Sequence, residues 1–266
     1  MGAYDTTLEA GIAHVQKHLA VLSADVDEFA HSADSGTGNP YWATLRLGSH
    51  AAASAMLAWF VDRDLVGLKR WSYAAGRLQG IAMKMSPGEW LYYAAHRLFY
   101  PLLSDNEELI AAQFDFPFNQ EKIDNPRTHD FLGYQALLAV RGDWEQVSTR
   151  SRRFLTDPAP KMKKYQTDYR FFEALARGEP LKMVEALREL TSPKLARFRN
   201  NEFGLVFSDR FVASHAVIYA KIAWRHGYRI EIDTPYIPHD WLPVSPIASY
   251  SDPYAFMSRF PLTKTQ

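Results

Sequence analysis

The sequence predicts an all-α fold: a multi-helix bundle of antiparallel helical hairpins, followed by a Pro-rich, extended C-terminal tail. Three observations carry that prediction. Apolar residues recur at steps of three and four along most of the chain, the period of a helix face and not of a strand. Helix-capping chemistry recurs between those stretches. Six of the fifteen prolines fall after residue 234, where they forbid a long helix.

The elements follow in order. Leu8, Ile12, Val15, Leu19, Leu22, Val26 and Phe29 form one stripe and predict one helix. His31 to Pro40, rich in Gly, Ser and Asn, reads as a loop. Tyr41–Val66 is Ala-rich and apolar and predicts a buried helix, and Gly67–Met85 predicts a third. Ser86-Pro87-Gly88-Glu89 is a helix start, with Ser at the cap, Pro first inside and Glu three residues on. The helix it opens carries Trp90, Leu91 and Leu98, and Pro101 should kink or end it. Ser104-Asp105-Asn106-Glu107 reads as a second capping box, leading into Leu109 and Ile110. Gln113–Arg127 has no period and reads as a loop packed on the body; Asp130–Arg141 is helical.

Arg141-Gly142-Asp143 and Arg177-Gly178-Glu179-Pro180 repeat one device: glycine in the left-handed position ends a helix and an acidic residue starts the next. Two copies at that spacing indicate helical hairpins, not a named repeat. Glu202–Tyr228 is apolar on two faces, which predicts a central helix ended by Gly227. Arg229–Asp233 alternates and predicts a short strand; beyond it Tyr236, Trp241, Tyr250, Tyr254, Phe256 and Phe260 predict a tail wrapped on the body. No linker composition interrupts the chain. The expected organisation is a single helical domain over 1–266, with a body at 1–228 and a tail at 229–266.

With 30 Lys+Arg against 30 Asp+Glu, the chain is neither a general nucleic-acid binder nor an acidic nucleic-acid mimic. No cysteine means no disulfide, Fe–S cluster, thiol nucleophile or sulfur-ligated zinc. The longest near-apolar run, Ala51–Val61, is too short to span a bilayer. Met1–Glu9 has no signal-peptide pattern, so a cytoplasmic protein is expected.

Candidate chemistry is sparse. His14 and His18 share a helix face but lack a third ligand, and read as helix-edge histidines. His215 fills the gap in the stripe between Phe211 and Ile218: either a core histidine held by a neighbour, or a buried general base or ligand. His96 and His129 offer less context. Asp62 and Asp64 are two apart and diverge on a helix. Nucleotide, hydrolase and zinc-protease motifs are missing, so no catalytic residue, cofactor or metal is expected.

Charge, though balanced, is uneven. Residues 101–130 carry seven carboxylates against Lys122 and Arg127, while a basic knot gathers Arg150, Arg152, Arg153, Lys161, Lys163 and Lys164. Asp105, Glu107, Glu108, Asp115, Glu121 and Asp124 are candidate partner-binding residues, an acidic docking face for a basic protein. Ordinary solvated faces are the competing reading.

Four segments taken together resemble the immunity protein 49 family of bacterial polymorphic-toxin systems. They are Tyr73-Ala74-Ala75-Gly76-Arg77-Leu78, Leu103 through Ile110, Ala136-Leu137-Leu138 running into Arg141-Gly142-Asp143-Trp144-Glu145, and Gly227 through Pro238. The last is the most distinctive. The resemblance spans roughly residues 70–245 and implies an all-helical protein that binds and blocks a cognate toxin, with no active site to transfer. An inhibitor kept in the cytoplasm implies a toxin acting there: a nuclease, a deaminase, or an NAD- or ADP-ribose-directed enzyme. The competing function classes are an enzyme with a pocket around His215 and a helical scaffold protein.

Overall fold

The computed structural model describes residues 7–86, 97–202 and 207–262, the side chains of 201 and 202 excepted. Among the described residues the chain forms α-helices and short 3-10 turns and no strand. The predicted Ser86–Glu89 start and the helix core from Trp90 to Ala95 lie mostly outside the described residues.

The N-terminal third is built on one helix pair. α3 (Pro40–Phe60) and α4 (Leu65–Met85) make the most extensive helix contact among the described residues. Ala51, Ala52, Ala53 and Ala55 let the two backbones approach closely. α1 (Leu8–Ala24) and α2 (Val26–Ser35) both pack on α3. The single stripe from Leu8 to Phe29 is therefore two helices. Asp25 leaves helical geometry between them, and a polar residue that prefers helix ends gives the bend. α2 also runs further than the composition of His31–Pro40 suggests. It stops at Gly36, which takes φ +76°, so the loop shrinks to 36–39. Asn39 then caps α3 by accepting from the Trp42 N–H at 3.1 Å.

The α3–α4 turn is tight. Asp64 caps α4 through the Gly67 N–H at 2.8 Å. A β-carbon at Gly67 would lie 2.3 Å from the Asp64 carboxylate, so glycine there permits the cap.

α5 (Phe99–Ser104) carries Pro101 in its first turn, where a missing N–H costs nothing. α6 (Glu107–Ala111) is capped by Asn106, whose side chain accepts from the Leu109 N–H at 2.7 Å. Ser104 is thus not the cap: its hydroxyl donates to the Pro101 carbonyl and accepts from the Asn106 N–H. The expected 113–127 loop contains α7 (Gln120–Asp124), capped by Asn119.

α8 (His129–Arg141), α9 (Trp144–Thr156), α10 (Gln166–Arg177) and α11 (Pro180–Leu190) pack consecutively. Gly142 and Gly178 take φ +75° and +65° at two of their turns, as the repeated signal predicts. Glu179 makes no side-chain cap, unlike Asp143, which accepts from the Gln146 N–H.

α12 (Pro193–Glu202) precedes the central helix, α13 (Ser214–Arg225), which packs on α5, α8, α11 and α12. The helix expected over 202–228 is therefore shorter: residues 208–210 form a 3-10 turn instead, and Phe203 and Leu205 lie outside the described residues. No strand forms at 229–233. That stretch has no neighbouring strand to complete a ladder, and its N–H groups turn inward locally, Ile230 to the Tyr228 carbonyl and Thr234 to that of Ile232.

The C-terminal segment crosses the body with two 3-10 turns, 239–241 and 255–259. Ile230, Ile237, Trp241, Leu242, Phe256 and Met257 join a contiguous apolar core that begins at Val15. Arg77 of α4 holds its end. The guanidinium pairs with Asp252 at 2.7 Å and donates to the Met257 and Phe260 carbonyls.

Candidate functional site

The acidic stretch is packed on the body, and aromatic residues hold it. Arg141 lies over the Phe114 ring at 4.1 Å and Arg97 over Phe116 at 5.0 Å, while Phe118 meets Tyr134 edge-on at 5.3 Å. Each such contact is worth about 0.5–1.5 kcal/mol. Ile123 anchors α7 in the core. With these apolar residues turned inward, Glu107, Glu108, Asp115, Glu121 and Asp124 are exposed. Glu107 pairs with Arg225 at 2.6 Å, and Asp124 accepts from Gln120 at 2.7 Å.

Asp105 does not belong with them. It is fully buried, and its carboxylate lies 2.7 Å from both Lys69 of α4 and Lys221 of α13. It also accepts from the Ser245 N–H at 3.1 Å. Lys69 donates to the Ser245 carbonyl, and Lys221 donates to those of Trp241 and Pro243. Two helices and the C-terminal segment thus meet at one carboxylate, in a left-handed backbone position with φ +58°. Burial pulls the Lys221 amine down to about 8 against the favourable field of Asp105. A lysine in the otherwise apolar Ile218–Ala223 run was the sequence signal for this cluster, since a buried charge requires a partner.

The basic knot also divides. Arg150 is nearly buried against the Phe131 ring at 3.9 Å, and donates to the Gln135 side chain and to the Ile123 and Phe131 carbonyls. It is a structural staple between α7, α8 and α9. Arg152, Arg153, Lys161 and Lys163 are exposed.

His215 is buried and faces Tyr219 edge-on at 6.3 Å. Tyr219 donates to Asp168 at 2.6 Å, and Arg199 donates to the same oxygen at 2.7 Å. Burial raises the Asp168 pKa, opposed by Arg199 and then by the tyrosine hydrogen bond. Asp168, Tyr219 and Arg199 thus meet at one carboxylate oxygen inside the core, while the other, Oδ2, accepts no hydrogen bond among the described residues. His14 and His18 have ring centroids 4.5 Å apart, and no group of three or more potential metal ligands occurs among the described residues. His129 bonds the Tyr165 hydroxyl at 2.7 Å; His96 lies outside the described residues. Asp64 is the α4 cap, and Asp62 is exposed. No described helix is long and apolar enough to cross a membrane.

Two adjoining clefts open between the α3–α4 turn and the C-terminal segment, of about 710 and 430 Å³. They share Trp59, Arg63 and Asp240 in their walls. A third cleft of about 330 Å³, between α9, α10 and α11, is closed over by ion pairs such as Arg177–Glu173 and Arg170–Glu189, each 2.6 Å.

Comparison with curated proteins and with solved structures returns no match. The comparison with family models does. The matched stretch runs from α8 to the 3-10 turn at Trp241, and includes the Arg141–Glu145 and Gly227–Pro238 segments; Tyr73–Leu78 and Leu103–Ile110 lie outside it. Residues 134–241 match the family model of Immunity protein 49, the family that the sequence resembles.

Proposed function

We propose that this chain, acting as a single helical domain, is an immunity protein that binds a cognate bacterial toxin and neutralises it by covering its active site. The observation that carries this reading is the Immunity protein 49 match over 134–241. One further feature supports it: the exposed carboxylates of 107–124 ride on a segment packed on the body through half-buried aromatics, as a preorganised docking surface requires. The toxin acts in the cytoplasm and is a nuclease, a deaminase, or an NAD- or ADP-ribose-directed enzyme. The protein works without catalysis or cofactor. Its interface buries about 1,200–2,000 Å² in total, and Glu107, Glu108, Asp115, Glu121 and Asp124 supply its acidic rim.

Co-expression with the toxin encoded beside this gene tests the reading. Growth should be restored and the two proteins should co-purify; continued killing with no complex would refute it. Within that assay the combined E108K, D115K and E121K variant should slow association about tenfold at low salt, since charge outside the interface centre acts on the encounter rate. An unchanged on-rate removes the acidic stretch from the interface.

A further inference from the structure

The two adjoining clefts meet at Arg63, and the residue is unusual there. It holds φ +54°, a left-handed conformation that a β-carbon disfavours and that glycine takes freely. Asp105 is the one other non-glycine with positive φ among the described residues, and the two buried lysines paired with it account for its position. Arg63 has no such pairing. Its guanidinium lies 5.5 Å from the Trp59 ring centre, and its side chain is exposed. No carboxylate of the described residues pairs with it. Strained backbone of this kind collects at ligand clamps.

The groove around Arg63 has the other marks of a protein-binding site. Trp59 is buried in the wall shared by both clefts, with an indole N–H that finds no hydrogen-bond partner. Phe60 and Phe211 stack at 4.2 Å in the second cleft. Eight large apolar side chains are exposed among the described residues, and four of them lie in or next to the groove's lining segments: Leu8, Val61, Val66 and Val244. Leu8 lines the second cleft, and each valine lies within two residues of a lining residue. Such clustering marks an interaction surface, where scattered apolar residues do not. Asp240 shares the junction with Arg63 but forms no ion pair with it, so the groove offers a forked donor and an acceptor side by side.

We infer that this groove anchors an extended segment of the toxin. One Asp or Glu of that segment takes the Arg63 fork, and apolar side chains beside it cover the valine rim; Asp240 accepts a backbone N–H. This deepens the immunity reading and rests on it. The groove also divides labour with the acidic stretch. Anchors in pockets govern dissociation, whereas outlying charges govern encounter.

The test measures binding kinetics of the full chain with the catalytically inactivated toxin encoded by the adjacent gene. R63G removes the guanidinium while relieving the backbone, so its Tm should hold or rise as the complex dissociates about tenfold faster or more. V66D, in the first turn of α4 where a carboxylate suits the helix dipole, should fold normally and show the same faster dissociation. Tight binding by the unaltered chain, with both variants dissociating at its rate, overturns the groove and leaves the immunity reading standing. No binding by the unaltered chain removes both.

Discussion

Asp105 and Asp168 are both fully buried carboxylates contacting α13, yet they are balanced in opposite ways. Asp105 sits between two lysines, 2.7 Å from each, and every cation there also bonds a carbonyl of the C-terminal segment. Asp168 faces one arginine and one tyrosine hydroxyl. The first cluster carries one more positive than negative charge; the second is neutral. The first ties the C-terminal segment to α4 and α13. The second ties α10 to α12 and α13, inside the helical body. A buried ion is stabilising or costly according to whether its partners match it in charge and saturate its hydrogen bonds, so the two sites should respond differently to the same kind of damage.

The largest effect should come from D105A. It strands two lysines in the core, and breaking a buried pair from one side costs about 3–5 kcal/mol. Chemical denaturation would measure this, and amide exchange would add a location: residues 241–250 should lose protection before the helical body does. Protection lost evenly across the chain would contradict the assignment of Asp105 to the C-terminal segment.

D168N should cost less, about 1–3 kcal/mol, because the amide oxygen still accepts from Tyr219 and only one arginine loses its counter-charge. Its exchange signature should fall on α10 and α12 and spare 241–250. The pH dependence sharpens the contrast. Burial raises the Asp168 pKa, so the fold prefers the protonated carboxyl. That contribution is full below the ordinary carboxylate range and is lost as pH climbs through the raised value. In D168N this acid-side slope should vanish.

Lys221 gives the mirror case on the basic side. With its pKa pulled from 10.5 to about 8, the unfolded chain binds more protons between those values. Stability from this group is therefore complete above 10.5 and fades as pH falls through about 8. K221M should abolish that rise, leave Asp105 with one lysine, and change stability at pH 7 by about 1 kcal/mol or less, since a matched pair remains. Denaturation midpoints at pH 7.5 and 10 in both proteins would reveal it. Y219F, which removes one hydrogen bond to Asp168, should have a similarly small effect, about 1 kcal/mol.

The acidic stretch shows how far sequence reasoning reached. Seven carboxylates in 101–130 are visible by counting, but counting treats Asp105 and Glu107 alike. They differ because Asn106, not Ser104, caps α6, which turns Asp105 inward against lysines 36 and 116 positions away in the chain. The break at Asp25 is similar: the apolar stripe is continuous, and only packing on α3 reveals two helices. Arg63 had no local signal at all. Its left-handed backbone follows from the turn that closes α3 on α4, with the Asp64 N–H reaching the Ala58 carbonyl at 2.8 Å.

Helix period, caps and the glycine turns at 142 and 178 are local properties, set by residues three to six positions apart, and the amino-acid order alone determined them. The all-α class, the hairpins and the shortage of catalytic motifs follow from that. Which charges are buried, which face the solvent, and where clefts form depend on pairs such as Lys221 with Asp105 or Arg77 with Asp252. Chain folding brings these together across more than a hundred residues, and only the tertiary structure decided them, because the cost of burying a charge is settled by the partner it meets in space.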